Sequence, residues 1–357
     1  MILRRNEPLS SYTTLGLGGP ASRFVVPTSE AELVEVLREA RTTKEDVLLL
    51  GGGSNLVVSD AGFPGTVVKL GDALSETSIA RDGDTSYVVT VAAGRSWDTF
   101  VSEMVNLGAS GLESLSGIPG LVGATPMQNV GAYGQEVSQR IESVRVYDRE
   151  KDDILTMTSS ACGFGYRDSV FRGRTRFAIL SVTFRLPRRE ECEPIRYEEL
   201  ARALDTTPGG TAPLRVVRRT VIALRRGKGM VVDPNDSESR SAGSFFKNPV
   251  LDTAAFQDLE ARVERESPGL RVPCYPDTQG DPSRRKVSAA WLIERSGFRK
   301  GHGDRVRISK KHALSLVNGG NGTTEELVAL ARSICARVQE RFRVTLEVEP
   351  ILVGVSV

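Results

Sequence analysis

Ser244 lies in residues 242–249, which read Ala-Gly-Ser-Phe-Phe-Lys-Asn-Pro. The glycine before it, Gly243, can adopt a positive φ or let a ligand approach the backbone closely. The aromatic pair after it, Phe245 and Phe246, can exclude water, which strengthens electrostatic contacts around a hydroxyl that passes a proton. The segment fits an acid–base site, although taken alone it favours a turn with a buried phenylalanine pair.

A first glycine-rich segment, residues 51–55, reads Gly-Gly-Gly-Ser-Asn and follows a strand predicted for residues 47–50. Bare backbone N–H groups of such a turn can bind an anion. The Gly-Lys-Ser/Thr of a P-loop is absent, and strand character resumes at Leu56, where a dinucleotide fingerprint requires a helix. We predict a backbone anion site in a β-rich unit, with a structural β-turn as the alternative.

A second glycine-rich segment spans residues 108–134. Long glycine-rich loops within compact domains are usually functional, and Gln128 and Asn129 add amide donors and acceptors. The segment therefore suits an extended ligand that carries a pyrophosphate. A flexible linker is the alternative, but the apolar Ile118 and Val122 argue against a solvated chain.

Arg167 stands between Tyr166 and Asp168 in the run Gly-Tyr-Arg-Asp-Ser. It can form an exposed ion pair of little energetic value. Alternatively, Asp168 holds the guanidinium rigidly and aims it at a ligand carboxylate.

Length and charge limit the classes of function. The 357 residues predict two or three domains, and the formal net charge of +2 gives no field that would attract nucleic acid. The four cysteines are far apart and form no Cys-x-x-Cys pair, which predicts a reducing compartment, no disulfide framework and no metal site. No stretch approaches the roughly 18 apolar residues of a membrane span, and the first residues lack a signal-peptide core.

Helices and strands must position these residues. Ser29 and Glu32 form a predicted capping box, and a helix after Ser96 is expected to end at Gly108. Further helices are predicted over residues 197–204 and 214–226 and, after a cap at Thr323, through residue 338. A strand over residues 344–353 carries Glu347 and Glu349.

Taken together and in order, the motifs resemble one family closely, the UDP-N-acetylenolpyruvoylglucosamine reductases (MurB), in the branch with an extra tyrosine loop. The similarity covers essentially the whole chain. It runs from Thr-Leu-Gly at residues 14–16 through the two glycine-rich segments, Gly-Tyr-Arg-Asp-Ser and Gly-Ser-Phe-Phe-Lys-Asn-Pro to a terminal Leu-x-x-Glu.

The resemblance implies an α+β chain. Its FAD-binding fold, of the vanillyl-alcohol-oxidase (PCMH) type, would have two subdomains at residues 1–70 and 71–228, with residues 344–357 packing back on the first. A separate α+β substrate-binding domain would occupy residues 229–343.

The resemblance also implies non-covalent FAD, with NADPH as co-substrate. It assigns FAD contacts to the glycine-rich segments and one tyrosine: Gly51, Gly52, Gly53, Ser54, Asn55, Leu56, Ser116, Gly117, Ile118, Pro119, Gly120, Gly123, Ala124, Gln128, Asn129, Gly131, Ala132 and Tyr166.

The implied reaction has two halves. NADPH gives a hydride to flavin N5, and the reduced flavin passes it to the enolpyruvyl carbon of UDP-N-acetylglucosamine enolpyruvate. A proton added to the neighbouring carbon completes UDP-N-acetylmuramate, a precursor of peptidoglycan. Both nucleotides are expected to use one cleft in turn, which gives ping-pong kinetics.

Three residues match the family's catalytic positions. Arg167 would stabilise the negative charge that develops on the substrate carboxylate, Ser244 would donate the proton, and Glu349 would act at the same carboxyl group with a raised pKa. The family often has Glu-Val-Arg here, whereas Glu349 is followed by Pro350 and Ile351, so a second arginine is missing. Glu347 is the alternative carboxylate if the register differs.

Further residues match positions that bind the substrate, above all its diphosphate. They are Tyr197, Lys228 and Asn248, with Arg225 as a weaker candidate and Tyr275 and Gln279 from a polar turn. The implied protein is a cytoplasmic monomer that binds neither nucleic acid nor membrane. The alternatives are another FAD-dependent oxidoreductase of the superfamily and a non-catalytic paralogue that binds a nucleotide sugar.

Overall fold

A computed structural model describes residues 1–276 and 281–357. The strands in chain order are β1 (Ile2–Pro8), β2 (Pro20–Val26), β3 (Val47–Leu50), β4 (Leu56–Val58), β5 (Phe63–Lys69), β6 (Thr77–Asp82), β7 (Ser86–Ala92), β8 (Gly131–Ala132), β9 (Gln135–Glu136), β10 (Ile141–Asp148), β11 (Asp153–Thr158), β12 (Phe177–Pro187), β13 (Ser241–Ser244), β14 (Val250–Asp252), β15 (Cys274–Pro276), β16 (Arg284–Val287), β17 (Val306–Ile308), β18 (Ser315–Asn318) and β19 (Ile351–Val353). The helices are α1 (Glu30–Thr43), α2 (Trp97–Leu107), α3 (Glu198–Ala203), α4 (Leu214–Gly227), α5 (Thr253–Glu266), α6 (Ala289–Arg295) and α7 (Thr324–Phe342).

The chain forms two compact units, and both include segments from the N-terminal part of the sequence. Unit 1 comprises Met1–Glu7, Pro20–Gly53 and Phe63–Val231. Unit 2 comprises Pro8–Gly19, Ser54–Gly62 and Val232–Val357. The predicted division into three domains remains a prediction.

Unit 1 contains two sheets. One has the strand order β1-β2-β5-β3, in which β2 and β3 both run parallel to β5. The other is antiparallel, with the order β11-β10-β12-β7-β6. Its core includes Trp97, Phe100 and Phe184, whose ring centroids lie 5.3–6.1 Å apart. This packing fixes α2, which leads into the second glycine-rich segment.

Helix ends in both units follow local signals in part. The Ser29 side chain accepts a hydrogen bond from Glu32 N, but the Glu32 carboxylate accepts from Thr28 N rather than closing the predicted capping box. At α7 both halves of the box between Thr323 and Glu326 are present. The predicted C-cap Gly108 is confirmed, with a left-handed φ of 76° after α2.

Unit 2 packs three small sheets against helices. Their strand orders are β13-β18-β17, β14-β16-β15 and the parallel pair β19-β4. The core combines Phe245 and Phe246 with residues of α6 and α7, including Leu292 and Ile334, all almost wholly buried. The strand that carries Ser244 is therefore anchored by the two aromatics that follow it.

Two expectations about elements change. The strand predicted over residues 344–353 is a strand only at β19, because Pro350 cannot donate a backbone hydrogen bond and Val348 forms a single isolated bridge with Phe246. Residues 274–276, placed partly in a polar turn, form β15. Among the residues described, none of the helices combines the length and apolar character that a bilayer crossing requires.

Candidate active site

The two glycine-rich segments meet at Gly52 and Gly120, both in unit 1. A Cβ atom added to Gly52 would lie 2.6 Å from Gly120 Cα, closer than side-chain carbons approach backbone. Gly120 itself has a φ of 123°, which favours glycine. Only glycine at position 52 permits this approach, so the two loops present backbone to each other.

Asp98, at the start of α2, holds the second loop at Gly117. Its Oδ1 accepts from Gly117 N at 2.6 Å, and its two oxygens accept from the Arg218 guanidinium at 2.6 and 2.9 Å. Burial alone would raise the pKa of Asp98, but the hydrogen bonds from Arg218 and Gly117 outweigh it and lower that pKa. A carboxylate thus binds one N–H of the loop and ties it to α2 and α4.

Buried polar residues fix the rest of this loop. Glu113 is fully buried and accepts from Gly111 N at 2.6 Å. Ser116, assigned to the cofactor, donates its hydroxyl to Glu113 O at 2.6 Å. The Asn129 amide donates to Glu136 Oε2 and Gly165 O and accepts from Ser138 N. These side chains shape the loop, and their predicted contacts with FAD remain predictions.

The other residues assigned to the cofactor line the same segments. Gly123 is packed so closely that a Cβ atom would lie 2.5 Å from Ala93 Cβ, and Gly131 lies beside the Arg167 guanidinium. The remainder lie along these loops or, for Tyr166, in the turn that carries Arg167, and their predicted contacts with FAD stay predictions: Gly51, Gly53, Ser54, Asn55, Leu56, Ile118, Pro119, Ala124, Gln128, Ala132 and Tyr166.

Arg167 occupies a tight turn in which Gly165 and Asp168 exchange backbone hydrogen bonds of 3.0 and 3.3 Å. Its φ is 54°, in the left-handed region. The guanidinium Nη2 donates to Gly131 O at 2.6 Å, and Cζ lies 5.5 Å from the centroid of the Tyr166 ring. The loop carbonyl therefore orients the predicted catalytic cation.

Two residues assigned to the substrate diphosphate come together in unit 1. Lys228 Nζ lies 5.6 Å from the centroid of the Tyr133 ring, and Tyr197 packs edge-on against that ring at 5.5 Å. Lys228 also pairs with Glu199, with 2.6 Å between Nζ and Oε2. Burial raises the pKa of Tyr133 to about 12.

The side chain of Arg225 does not join the cluster of Lys228, Tyr197 and Tyr133 but bonds the backbone of Met230. Its Nη2 donates to Met230 O at 2.8 Å, and its Cδ faces the position that a Cβ atom of Gly117 would occupy, at 3.7 Å. Burial lowers the pKa of its guanidinium to about 10. Arg225 thus lies against the second glycine-rich loop at Gly117, and its predicted contact with substrate stays a prediction.

In unit 2, Ser244 ends β13 opposite Ser315 of β18. A register shift separates this pair from Ser241 and Val317, and Gly243 within it has a φ of 74°. Phe245 N then donates to Leu314 O at 2.7 Å. The predicted positive φ of Gly243 and the buried phenylalanine pair are both present, and Ser244 is half-buried.

Glu349 is held beside this segment, because its N–H donates to Phe245 O at 2.9 Å. Glu347 lies two residues earlier with its side chain 72% exposed and 3.3 Å from Lys247 Nζ. The structure therefore brings Glu349 next to the Ser244 segment and points Glu347 to the surface.

Of the remaining substrate candidates, Asn248 accepts from Ala289 N at the start of α6 through its Oδ1, at 2.9 Å. Tyr275 lies exposed on β15. Gln279 lies outside the described residues.

Comparisons with known proteins give a full-length match. A model of the UDP-N-acetylenolpyruvoylglucosamine reductase C-terminal domain matches residues 233–353, and an FAD binding domain model matches residues 21–158. The chain is 51% identical to the UDP-N-acetylenolpyruvoylglucosamine reductase of Thermobifida fusca, over 99% of this chain and 98% of that protein.

The chain belongs to the UDP-N-acetylenolpyruvoylglucosamine reductase family. It is also 51% identical to the reductase of Salinispora arenicola, over 97% of this chain and 94% of that one. Among solved structures, the reductase (MurB) of Thermus caldophilus superposes with a TM-score of 0.65 at 26% identity, covering 99% of this chain and 100% of that chain. The predicted α+β reductase fold, with an FAD-binding part and a separate C-terminal domain, is confirmed.

Several residues that contact the candidate site residues were not predicted from the sequence. Asp98 looks like an ordinary acidic residue in a first helical turn, and its partner Arg218 lies 120 residues away, so no local signal exists. Tyr133 had a signal, since it lies within the Gly-Ala-Tyr-Gly motif. Glu199 lies two residues after Tyr197 in an acidic first helical turn, and the sequence gives no sign of its contact with Lys228.

Proposed function

We propose that the chain catalyses the NADPH-dependent reduction of UDP-N-acetylglucosamine enolpyruvate to UDP-N-acetylmuramate in peptidoglycan precursor synthesis. The observation that carries this function is the 51% identity to the UDP-N-acetylenolpyruvoylglucosamine reductase of Thermobifida fusca, over 99% of this chain. The protein is an FAD-dependent oxidoreductase of this family. A role in cell shape and division follows from the product if cell-wall synthesis depends on this step.

The glycine loops fit the FAD that the family requires. Gly52 and Gly120 approach so closely that side chains are excluded, which leaves backbone and small residues to face a ligand. We propose that residues 51–56 and 116–132, with Tyr166, hold FAD without a covalent bond. When bound, FAD carries the hydride from NADPH to the enolpyruvyl carbon.

Arg167 supplies the fixed positive charge. Hydride addition to an enol ether conjugated with a carboxylate places negative charge on that carboxylate, and a preorganised cation lowers the barrier. The hydrogen bond from Nη2 to Gly131 O supports this role, because it restricts the guanidinium before substrate arrives. It also makes Arg167 sensitive to the shape of the cofactor loop.

Ser244 donates the proton to the carbon next to the site of hydride addition, and Glu349 acts at the substrate carboxyl group. The hydrogen bond between Glu349 N and Phe245 O supports the pairing of these two assignments, since it fixes both backbones within unit 2. The exposed ion pair of Glu347 with Lys247 favours Glu349 over Glu347.

The substrate diphosphate binds Lys228, Tyr197 and Asn248, with Arg225, Tyr275 and Gln279 as additional contacts. The clustering of Lys228 and Tyr197 around the Tyr133 ring supports the first two assignments. We further propose that the enzyme works as a monomer in the cytoplasm, where its nucleotide substrates are found.

Anaerobic visible absorbance of the purified protein tests this function. Addition of NADPH should bleach the flavin band, and later addition of UDP-N-acetylglucosamine enolpyruvate should restore it. Bleaching without recovery would mean that another FAD-dependent oxidation–reduction is the activity. A protein that stays colourless after FAD is added back would contradict the cofactor, and a ligand-binding paralogue would bind the nucleotide sugar without any change in absorbance.

A further inference from the structure

Lys228 already has an anionic partner in the absence of substrate. Its Nζ lies 2.6 Å from Glu199 Oε2. Among the residues that the structure describes, the Glu199 carboxylate has one hydrogen-bond partner, the ammonium group of Lys228. The carboxylate and the proposed diphosphate therefore compete for the same ammonium group.

The backbone fixes both members of this pair. Glu199 lies in the first turn of α3, which is anchored by the buried Leu200 and Ala201. Lys228 directly follows α4, and its N–H donates to Arg225 O and Arg226 O. Because α3 and α4 contact each other, the carboxylate stays near the ammonium even after a ligand enters.

The negative charge of Glu199 disfavours the binding of an anionic ligand at Lys228. A paired ammonium attracts an incoming diphosphate less, and the carboxylate repels the phosphate oxygens at short range. Both side chains are partly exposed, Lys228 by 26% and Glu199 by 39%, so solvent moderates the effect without removing it. The arrangement weakens the binding of diphosphates.

We propose that Glu199 is an exchangeable counter-ion that sets the affinity and release rate of diphosphate ligands at Lys228. This inference rests on the proposed function, in which Lys228 binds the substrate diphosphate. NADPH, substrate and product all carry a diphosphate, and each must leave before the next ligand binds. Glu199 pairs with Lys228 as each ligand departs, which favours turnover over tight binding.

The test compares Glu199→Gln with Glu198→Gln in the FAD-loaded protein. Glu198 is a matched control, since it is exposed in the same helical turn and its replacement removes the same charge. Dissociation constants for UDP, a diphosphate without the reacting group, are measured by calorimetry at low and high salt. Glu199→Gln should bind UDP about fivefold more tightly at low salt, the upper range for a partly exposed pair. Glu198→Gln should change it less than about twofold.

Stopped-flow release gives a second readout. UDP-N-acetylmuramate should leave Glu199→Gln about fivefold more slowly than the wild type, because most changes in affinity appear in the dissociation rate. Unchanged or weaker binding of UDP would overturn the proposal, and weaker binding would identify Glu199 as a residue that positions Lys228. Equal tightening by Glu198→Gln would also overturn it, because a general charge effect would then suffice.

Lys228→Met separates this inference from the proposed function. If Lys228→Met weakens UDP binding while Glu199→Gln has no effect, only the counter-ion role fails. If Lys228→Met binds UDP as the wild type does, the diphosphate assignment of Lys228 fails, and the counter-ion role fails with it. The absorbance experiment on the wild type still decides the overall reaction in either case.

Discussion

At the scale of single residues, Ser244 and Glu349 lie on two segments whose backbones are joined by a hydrogen bond. Phe245 links them, since its N–H donates to Leu314 O and its carbonyl accepts from Glu349 N. Because Phe245 is fully buried, its side chain can fix this linkage without any polar contact in the site. Substitutions of Ser244 or Glu349 leave this backbone linkage in place, because it uses no atom of either side chain.

Ser244→Ala should leave flavin reduction by NADPH intact and slow flavin reoxidation by substrate by about 10²–10⁴, the usual contribution of a general acid or base. Anaerobic stopped-flow absorbance measures the two halves separately. Ser315→Ala is the matched control, because Ser315 faces Ser244 in the ladder and its buried hydroxyl has no hydrogen-bond partner among the described residues. Equal slowing of both halves in Ser244→Ala would remove the proton-donor assignment.

Gly52→Val should release FAD, because its Cβ atom would lie 2.6 Å from Gly120 Cα and force the two loops apart. We expect at least about a tenfold loss of FAD affinity, equal to the roughly 1.4 kcal/mol of a modest backbone strain. Flavin content after gel filtration measures it. Gly71→Val is the control, since that position has no neighbour within 4 Å and an extended φ of −165°. A yellow, fully loaded Gly52→Val would contradict the cofactor cradle.

At the scale of elements, α2, α4 and the second glycine-rich loop are joined at Asp98. Asp98→Asn should weaken FAD binding by about tenfold, because a hydrogen bond to a charged group contributes roughly 1.5–3 kcal/mol and Gly117 would lose its anionic acceptor. Flavin fluorescence titration of the apoprotein measures this affinity.

Asp84→Asn, in an exposed turn of the same unit, controls for the change of charge. Equal FAD affinity in Asp98→Asn and the wild type would show that the loop keeps its shape without the carboxylate. A lower melting temperature of the apoprotein together with unchanged FAD affinity would assign Asp98 to stability alone.

The segment before β13 is joined to β17 through Glu238. Its carboxylate accepts from Arg307 Nη2 and Ser309 Oγ, both at 2.7 Å, and from Lys310 N at 2.6 Å. Burial alone would raise the pKa of Glu238, but these hydrogen bonds lower it below its ordinary value of about 4.5. The element that leads to Ser244 is thus held by one ionised carboxyl group.

A carboxyl group with a lowered folded-state pKa contributes stability above its unfolded pKa and loses it as pH falls through the folded value. Glu238→Gln should therefore lower the free energy of unfolding by about 1–3 kcal/mol at pH 7. The difference from the wild type should shrink steadily below pH of about 4.5. Urea unfolding at several pH values measures it, with exposed Glu260→Gln as control. A difference that is constant with pH would show that the charge of Glu238 is not the cause.

At the scale of the whole molecule, the sequence predicted what is encoded locally. The strand after Asn55, the C-cap at Gly108 and the positive φ of Gly243 follow from short motifs, and the structure has all three. The terminal strand predicted over residues 344–353 is shorter, because Pro350 interrupts it and ladder pairing is confined to Ile351–Val353. Contacts such as Asp98 with Arg218 join distant segments, and a single sequence gives no signal for them.

Unit 2 combines the early residues 54–62 with the C-terminal residues 232–357, and this affects the order in which the protein can fold during synthesis. In unit 2, β4 comes from the first sixth of the chain and pairs in parallel with β19. At the start of α7, Thr324 N donates to the Asp60 carboxylate, and Thr324 Oγ donates to Val58 O. Domains that fold during translation begin with the N-terminal part, and contacts of long sequence separation form slowly. Residues 54–62 therefore cannot form their contacts with β19 and α7 until residues 324–353 have left the ribosome, so unit 2 completes its fold only late in synthesis.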